Sequence, residues 1–338
     1  MGLFKPRIRN WSNVISYSRE VKIKMKKIFI FLIFFISVIF IAGCSNENQD
    51  GTDVNTDYEG ETEEVVDKVI DKSCFKVLSI GNSFSDNATK HLYEIAKAYG
   101  YEEVIIGNLY IGGCDILTHR LNAFYNNANY IYRKASAESD GVIINTPNST
   151  MKYGILDEDW QYITLQQQST KAGLPNSFKY LPQLANYVKS KATNKDVKIF
   201  WHMTWAYAWE NNNSGFVNFD NDQYMMYEAI VNATKTAVLP VVNFDGVIPS
   251  GTAIQNARTG YLGDTFTVED GYHLNTRGEY VAGMTFVLAL TGITNDELDK
   301  SKIDFTLSYD LDAFMEATTN AIENPFNITL SNILERPY

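Results

Sequence analysis

Apolar runs of strand length recur along this chain, and stretches with helical periodicity fall between them. That alternation limits the fold more than any other feature. "FKVLSI" (75–80), "EEVIIGNLYI" (102–111), "WQYITLQ" (160–166), "VKIFWHMTW" (197–205) and "DGVIP" (245–249) read as strands. Leu92, Ile95, Ala96 and Tyr99 line one face of a helix that stops at Gly100. Further helices are predicted around 177–192, with Leu181, Leu184 and Val188 inward, around 220–237 and at 276–292. Strands and helices in alternation predict an α/β protein with a central parallel sheet covered by helices on both faces. Residues 119–158 do not fit the alternation and read as an insertion, with a hairpin predicted within "GVIINTPNSTMKYGIL" (141–156). The tail after Asn295 predicts one more helix, at 310–323, packed against the core.

The amino terminus has the three parts of a secretory signal. "MKKIFIFLIFFISVIFIAGCSNENQD" carries two lysines, an apolar run from Ile28 to Ala42 interrupted by Ser37 alone, then Gly43-Cys44. The apolar run is short for a membrane span, and "IAGC" resembles a bacterial lipobox in which Cys44 becomes the lipidated first residue. Residues 1–24 read as an over-extended start, with translation beginning at Met25. The expected organisation is a signal peptide at 1–43, an acidic flexible tether at 44–73, one α/β domain at 74–292 that carries the insertion, and a helical extension at 293–338. The chain is then extracytoplasmic, held at the cell membrane through Cys44 alone.

The formal charge is −11, and the first 43 residues hold eight basic residues and one acidic, so the remainder stands at −18. So acidic a chain repels phosphate backbones and argues against a nucleic-acid partner. It also favours neutral substrates. Three cysteines, Cys44, Cys74 and Cys114, make no disulfide framework, and no Cys/His spacing points to zinc.

Chemistry is expected outside the carboxyl ends of the strands. Ser83 follows the first strand by three residues and precedes a helix, where free backbone N–H groups favour developing negative charge. A serine there is commonly only a turn residue or a cap, and it needs a base beside it to act as a nucleophile. "EDGYHLN" supplies one: Asp270 and His273 are three apart, immediately before the closing helix, a spacing at which the carboxylate reaches the far ring nitrogen. Gly112 and Gly113 follow the second strand and free a backbone N–H. Gln166, Gln167, Gln168 and Ser169 follow the third, where buried amides need partners. His202, Trp201 and Trp205 end the fourth strand and are weighed as pocket lining against plain packing. Gln255 and Arg258 contact substrate or brace loops. His91 and His119 read as structural, and Cys114 as an outside alternative nucleophile.

"IGNSFS", a glycine after the second strand, an amide after the third and "DGYHLN" occur in this order in the SGNH (GDSL-like) hydrolase superfamily, which the chain resembles. Within it, "IGNLYIGGC", "TLQQ", "WHMTWAY", "IPSGTAIQNAR" and "DGYHL" are similar to the bacterial family known as domain of unknown function 4886, over roughly Val77 to Gly292. The resemblance implies a flavodoxin-like three-layer α/β/α fold and ester hydrolysis with no metal or cofactor. It makes Ser83 the nucleophile, His273 the general base and Asp270 its orienting partner. The N–H groups of Ser83 and Gly113 would form the oxyanion hole. The superfamily's third donor is an asparagine in a Gly-x-Asn-Asp element; this chain has glutamines there, and Gln167 is the favoured replacement. Asn82, Gln168, His202 and Trp205 are expected to bind substrate. The expected substrate is a small acyl ester, acetyl above all, carried on a carbohydrate. Two other readings stand beside it: a non-catalytic carbohydrate-binding lipoprotein, and acyl transfer to a sugar.

Overall fold

The computed structural model describes residues 70–336; the signal segment, Cys44 and the tether up to residue 69 lie outside the described residues. Among the described residues seven strands form one sheet: β1 (Cys74–Gly81), β2 (Glu103–Tyr110), β3 (Tyr130–Ala135), β4 (Ile144–Ser149), β5 (Tyr162–Leu165), β6 (Lys198–His202) and β7 (Gly246–Ile248). Their order is β4-β3-β2-β1-β5-β6-β7. Val77, Leu78 and Ile80 of β1 and Ile163 and Leu165 of β5 are buried whichever face they point to. A strand in the middle of a parallel sheet is covered on both sides, so its sequence is apolar without alternation.

Five strands, β2-β1-β5-β6-β7, are parallel, and their order is the flavodoxin-like one. The chain leaves β1 towards β2 and returns on the other side at β5, so the strand order reverses at the carboxyl ends of β1 and β5, the place where open α/β sheets bind ligands. The insertion adds β3 and β4 antiparallel at the β2 edge. The sheet is therefore mostly parallel, and the hairpin lies across 130–149. It was expected within 141–156, but that stretch holds only its second strand and a short helix. "YIYRKA" supplies the other strand because Tyr130, Tyr132 and Ala135 bury against the core. β4 is an edge strand, exposed along most of its length. It contains Pro147, and the β3–β4 register shifts between Tyr130 and Tyr132.

Nine α-helices flank the sheet among the described residues: α1 (Ser83–Thr89), α2 (Leu92–Ala98), α3 (Ile116–Tyr125), α4 (Met151–Leu156), α5 (Leu181–Lys191), α6 (Gln223–Ala233), α7 (Ser250–Ala257), α8 (Thr276–Thr291) and α9 (Leu311–Glu323). Helices α1, α2, α7, α8 and α9 pack on one face; α3, α4 and α5 pack on the other, and α6 contacts α7. None of the described helices is long and apolar enough to cross a membrane.

Helix α8 is buried on nearly every side, with Tyr280, Val281, Met284, Phe286 and Val287 in the core. It also buries Glu279, which must therefore be paired. Lys90, His91 and Asn87 converge on that carboxylate at 3.0–3.2 Å. This explains why the first helix is two helices rather than one: the chain turns at Lys90-His91 to meet Glu279. His91 also lies 2.6 Å from Glu94. Burial alone would depress the His91 imidazole, but hydrogen bonds to Glu279 and Glu94, with their charges, hold it up to about 9. Burial pushes Glu279 up, and its bonds to His91 and Lys90 outweigh that and hold it below the usual carboxylate range.

A raised histidine contributes stability that is complete below its unfolded value of 6.5 and is lost as pH rises through about 9. The lowered carboxylates contribute above their unfolded value of 4.5 and fade in acid. His91→Phe is therefore expected to lower Tm most near pH 6, with the deficit shrinking above about pH 9. Thermal melts of both proteins across pH check this, and a deficit that grows with pH contradicts it.

Candidate active site

The turn after β1 is built around one side chain. Asn82, 2% exposed, caps α1: its Oδ1 accepts the Phe84 N–H at 3.0 Å. The cap is thus Asn82 and not Ser83, which becomes the first residue of the helix. Ser83 is half-exposed, and among the described residues its hydroxyl has no hydrogen-bond partner. Gly81 is required beneath it, since a Cβ there would lie 2.8 Å from Gln166 Cδ and from Ser85 Oγ.

The loop before α8 carries the acid–base pair. Asp270 Oδ2 lies 2.6 Å from His273 Nδ1, and Oδ1 accepts the backbone N–H groups of Tyr272 and His273, both at 2.9 Å. Burial would raise the Asp270 carboxyl, but those two amide donors and the imidazole hold it below the usual carboxylate range. An ionised Asp270 fixes the Nδ1–H tautomer of His273 and leaves Nε2 as a proton acceptor. Among the described residues Nε2 has no partner.

Helix α1 holds this loop in place. Asn87, four residues after Ser83 and so on the same helix face, accepts the Leu274 N–H at 3.1 Å. The Phe84 ring stands 6.3 Å from the His273 ring and stacks on Trp205 at 4.3 Å. Trp205 donates its indole N–H to the Tyr272 carbonyl at 2.8 Å, and Asn211 donates to the Asp270 carbonyl at 2.8 Å. Ser83 and His273 thus flank one face of α1, with no hydrogen bond between them.

At the end of β2 a turn closes through the Cys114 N–H and the Ile111 carbonyl, 3.2 Å apart. Gly113 sits in it at φ +61°, a region that favours glycine, and its N–H has no partner among the described residues. The chain matches "Domain of unknown function (DUF4886)" over residues 76–304. It belongs to that family. A crystal structure of a DUF4886 family protein from Bacteroides uniformis ATCC 8492 shares 40% identity, covers 78% of this chain and 100% of that one, and superposes with a TM-score of 0.71. LAE5, described as an alpha/beta hydrolase enzyme from the metagenome of Lake Arreo, Spain, matches at 10% identity and a TM-score of 0.37, over 66% of this chain and 96% of that one, too distant a likeness to bear on function. Curated proteins give no match.

In this DUF4886 domain several expected roles change. Gln167 is not placed as an oxyanion donor: its Nε2 donates to the carbonyl and hydroxyl of Ser177 at 3.1 and 3.0 Å, and its Oε1 accepts from Ile116 and Gln168. Asn82, His202 and Trp205 do not line a substrate pocket, because each is at most 2% exposed and held from within the core. Gln168 is half-exposed; its Oε1 accepts from Thr170, and its Nε2 has no partner among the described residues. Gln255 and Arg258 brace loops: Arg258, buried beside Asp264, donates to Gln255 and to the Ala206 carbonyl. Burial beside Asp115 pushes the Cys114 thiol up to about 12, so it stays protonated and is a poor nucleophile. His119 is buried against Tyr130. Among the described residues no group of three or more His, Cys, Asp or Glu side chains would hold a metal.

The sequence reading missed Phe84, Asn87 and Asn211. The helical spacing from Ser83 could have pointed to Asn87; nothing local marks the other two. Trp205→Phe keeps an aromatic ring against Phe84 and strips the Tyr272 carbonyl of its donor. It is expected to cost about 1–3 kcal/mol in urea unfolding, and an unchanged midpoint contradicts that role.

Proposed function

We propose that this DUF4886 protein is a serine esterase of the SGNH type. The observation that carries the reading is the Asp270–His273 pair, its Nε2 free among the described residues, tied by Asn87 and Phe84 to the helix that begins with Ser83. In this reading Ser83 Oγ attacks an ester carbonyl and His273 Nε2 takes its proton. The Asp270 carboxylate stabilises the imidazolium that results. The N–H groups of Ser83 and Gly113 face the developing oxyanion. The third donor is Gln168, the one of the three glutamines with an unengaged Nε2 among the described residues. His273 then protonates the leaving alcohol, and water, deprotonated by the same nitrogen, releases the acyl group.

The substrate class we favour is a small acyl ester on a carbohydrate, met outside the cell by a protein anchored through Cys44. Acyl transfer to a sugar differs only in the acceptor, and product analysis with and without sugar separates the two. A binding role without catalysis draws support from one observation, the absence of a hydrogen bond between Ser83 and His273. Michaelis complexes commonly tighten such contacts, so the catalytic reading is preferred.

The test uses the chain from Ser45 onward with p-nitrophenyl acetate. Ser83→Ala and His273→Ala are each expected to lose on the order of 10³-fold or more in kcat while staying folded. Gln168→Ala is expected to lose about 10²-fold, whereas Gln167→Ala acts on stability. An inert parent, or a Ser83→Ala protein that keeps its rate, sinks the esterase reading and moves sugar binding to the front.

A further inference from the structure

We propose that a buried chain of hydrogen bonds, from His202 through Gln166 and Asn82 to the Cys114 carbonyl, positions the Gly113 N–H for the oxyanion. This rests on the esterase reading above. The contacts are His202 Nδ1 to Gln166 Oε1 at 3.2 Å, Gln166 Nε2 to Asn82 Oδ1 at 2.8 Å, and Asn82 Nδ2 to the Cys114 carbonyl at 2.9 Å. None of the three side chains is more than 3% exposed.

The direction of the chain follows from its backbone end. The Phe84 N–H can only donate and the Cys114 carbonyl can only accept, so the Asn82 amide has one orientation. Asn82 Oδ1 then requires a donor from Gln166, which turns Gln166 Oε1 towards His202. His202 must in turn carry its proton on Nδ1. Burial pulls the imidazole down to about 3, so it is neutral and has that one N–H to give. Every bond points the same way, and bonds aligned in this manner polarise one another. The histidine's other nitrogen is buried without a partner among the described residues, and the imidazole packs T-shaped with the Phe286 ring at 4.7 Å. An apolar residue would avoid that cost, so the histidine is accounted for by the proton it gives to Gln166.

The output is the turn at 111–114. Both backbone groups of Cys114 are held: its N–H donates to the Ile111 carbonyl and its C=O accepts from Asn82, while the Ile111 N–H donates to the Gly81 carbonyl. Gly113 lies between these anchors. Backbone bonds hold the amino side of Gly113 and the amide chain holds its carboxyl side, so the direction of the Gly113 N–H depends on both. Asn82, Gln166 and His202 are positioning residues; none needs to touch the substrate.

A donor that matters only when charge develops acts on kcat and not on KM. Gln166→Met is expected to lower kcat about 10²-fold with KM within about twofold. His202→Leu should lose about tenfold, and His202→Asn, whose amide can stand in for Nδ1–H, should recover most of it. A folded Gln166→Met protein with the parent kcat overturns the proposal. So does a loss carried wholly by KM. The parent protein alone gives a second test that needs no variant to fold. Long-range proton–nitrogen NMR should show His202 as the Nδ1–H tautomer, with no titration between pH 5 and 8. The Nε2–H tautomer reverses Gln166 and overturns the chain. Should the parent be inert on esters, the esterase reading fails separately. The chain is then judged by that tautomer and by whether the Gly113 amide resonance shifts in Gln166→Met.

Discussion

One buried amide joins the ends of three strands. Asn82 leaves β1, and its side chain reaches the Phe84 N–H of the helix that follows, the Cys114 carbonyl beyond β2 and Gln166 beyond β5. A buried amide is costly unless its donors and acceptor are all engaged. Meeting that demand fixes where the three loops stand relative to one another. The half-exposed Ser83 hydroxyl, the Gly113 N–H and the Gln168 side chain all stand just past strand ends that this one residue ties together. The chemistry at the surface is arranged by a polar knot just beneath it.

The other half of the site is held differently. The Asp270-to-His273 loop owes its form to backbone hydrogen bonds onto its own aspartate and to outside contacts from Trp205, Asn211 and Asn87. Beneath it, the buried carboxylate of Glu279 draws Lys90 and His91 inward, which anchors α1 and α2 to α8. Both halves therefore meet on α1, a helix of seven residues that has no room to drift.

Much of this was legible in the sequence. The parallel strands announce themselves because a strand buried on both faces must be apolar, and the spacing of Asp270 and His273 by itself allows one side chain to reach the other. What stayed hidden depends on partners far along the chain. Nothing local tells Gln166 from Gln167 and Gln168; they differ only in whether they meet Asn82, Ser177 or solvent. Trp205 and His202 look like pocket lining because aromatic groups at strand ends often are, whereas here the long loop after β6 folds them under the site. The hairpin was misplaced because "YIYRKA" mixes charge into a strand: Lys134 and Arg133 are paired, with Asp157 and Asp86 respectively.

That hairpin leaves β4 as the outer edge of the sheet, with Ile144 at its start and Val142 just before it both exposed. Such a border offers a free row of backbone groups on which a second chain could extend the sheet. Pro147 removes one donor from that row, and the shifted register between Tyr130 and Tyr132 bends the border away from straight. The consequence is a guard against self-association: Pro147 and the shifted register both disfavour the addition of a second copy's strand to this edge.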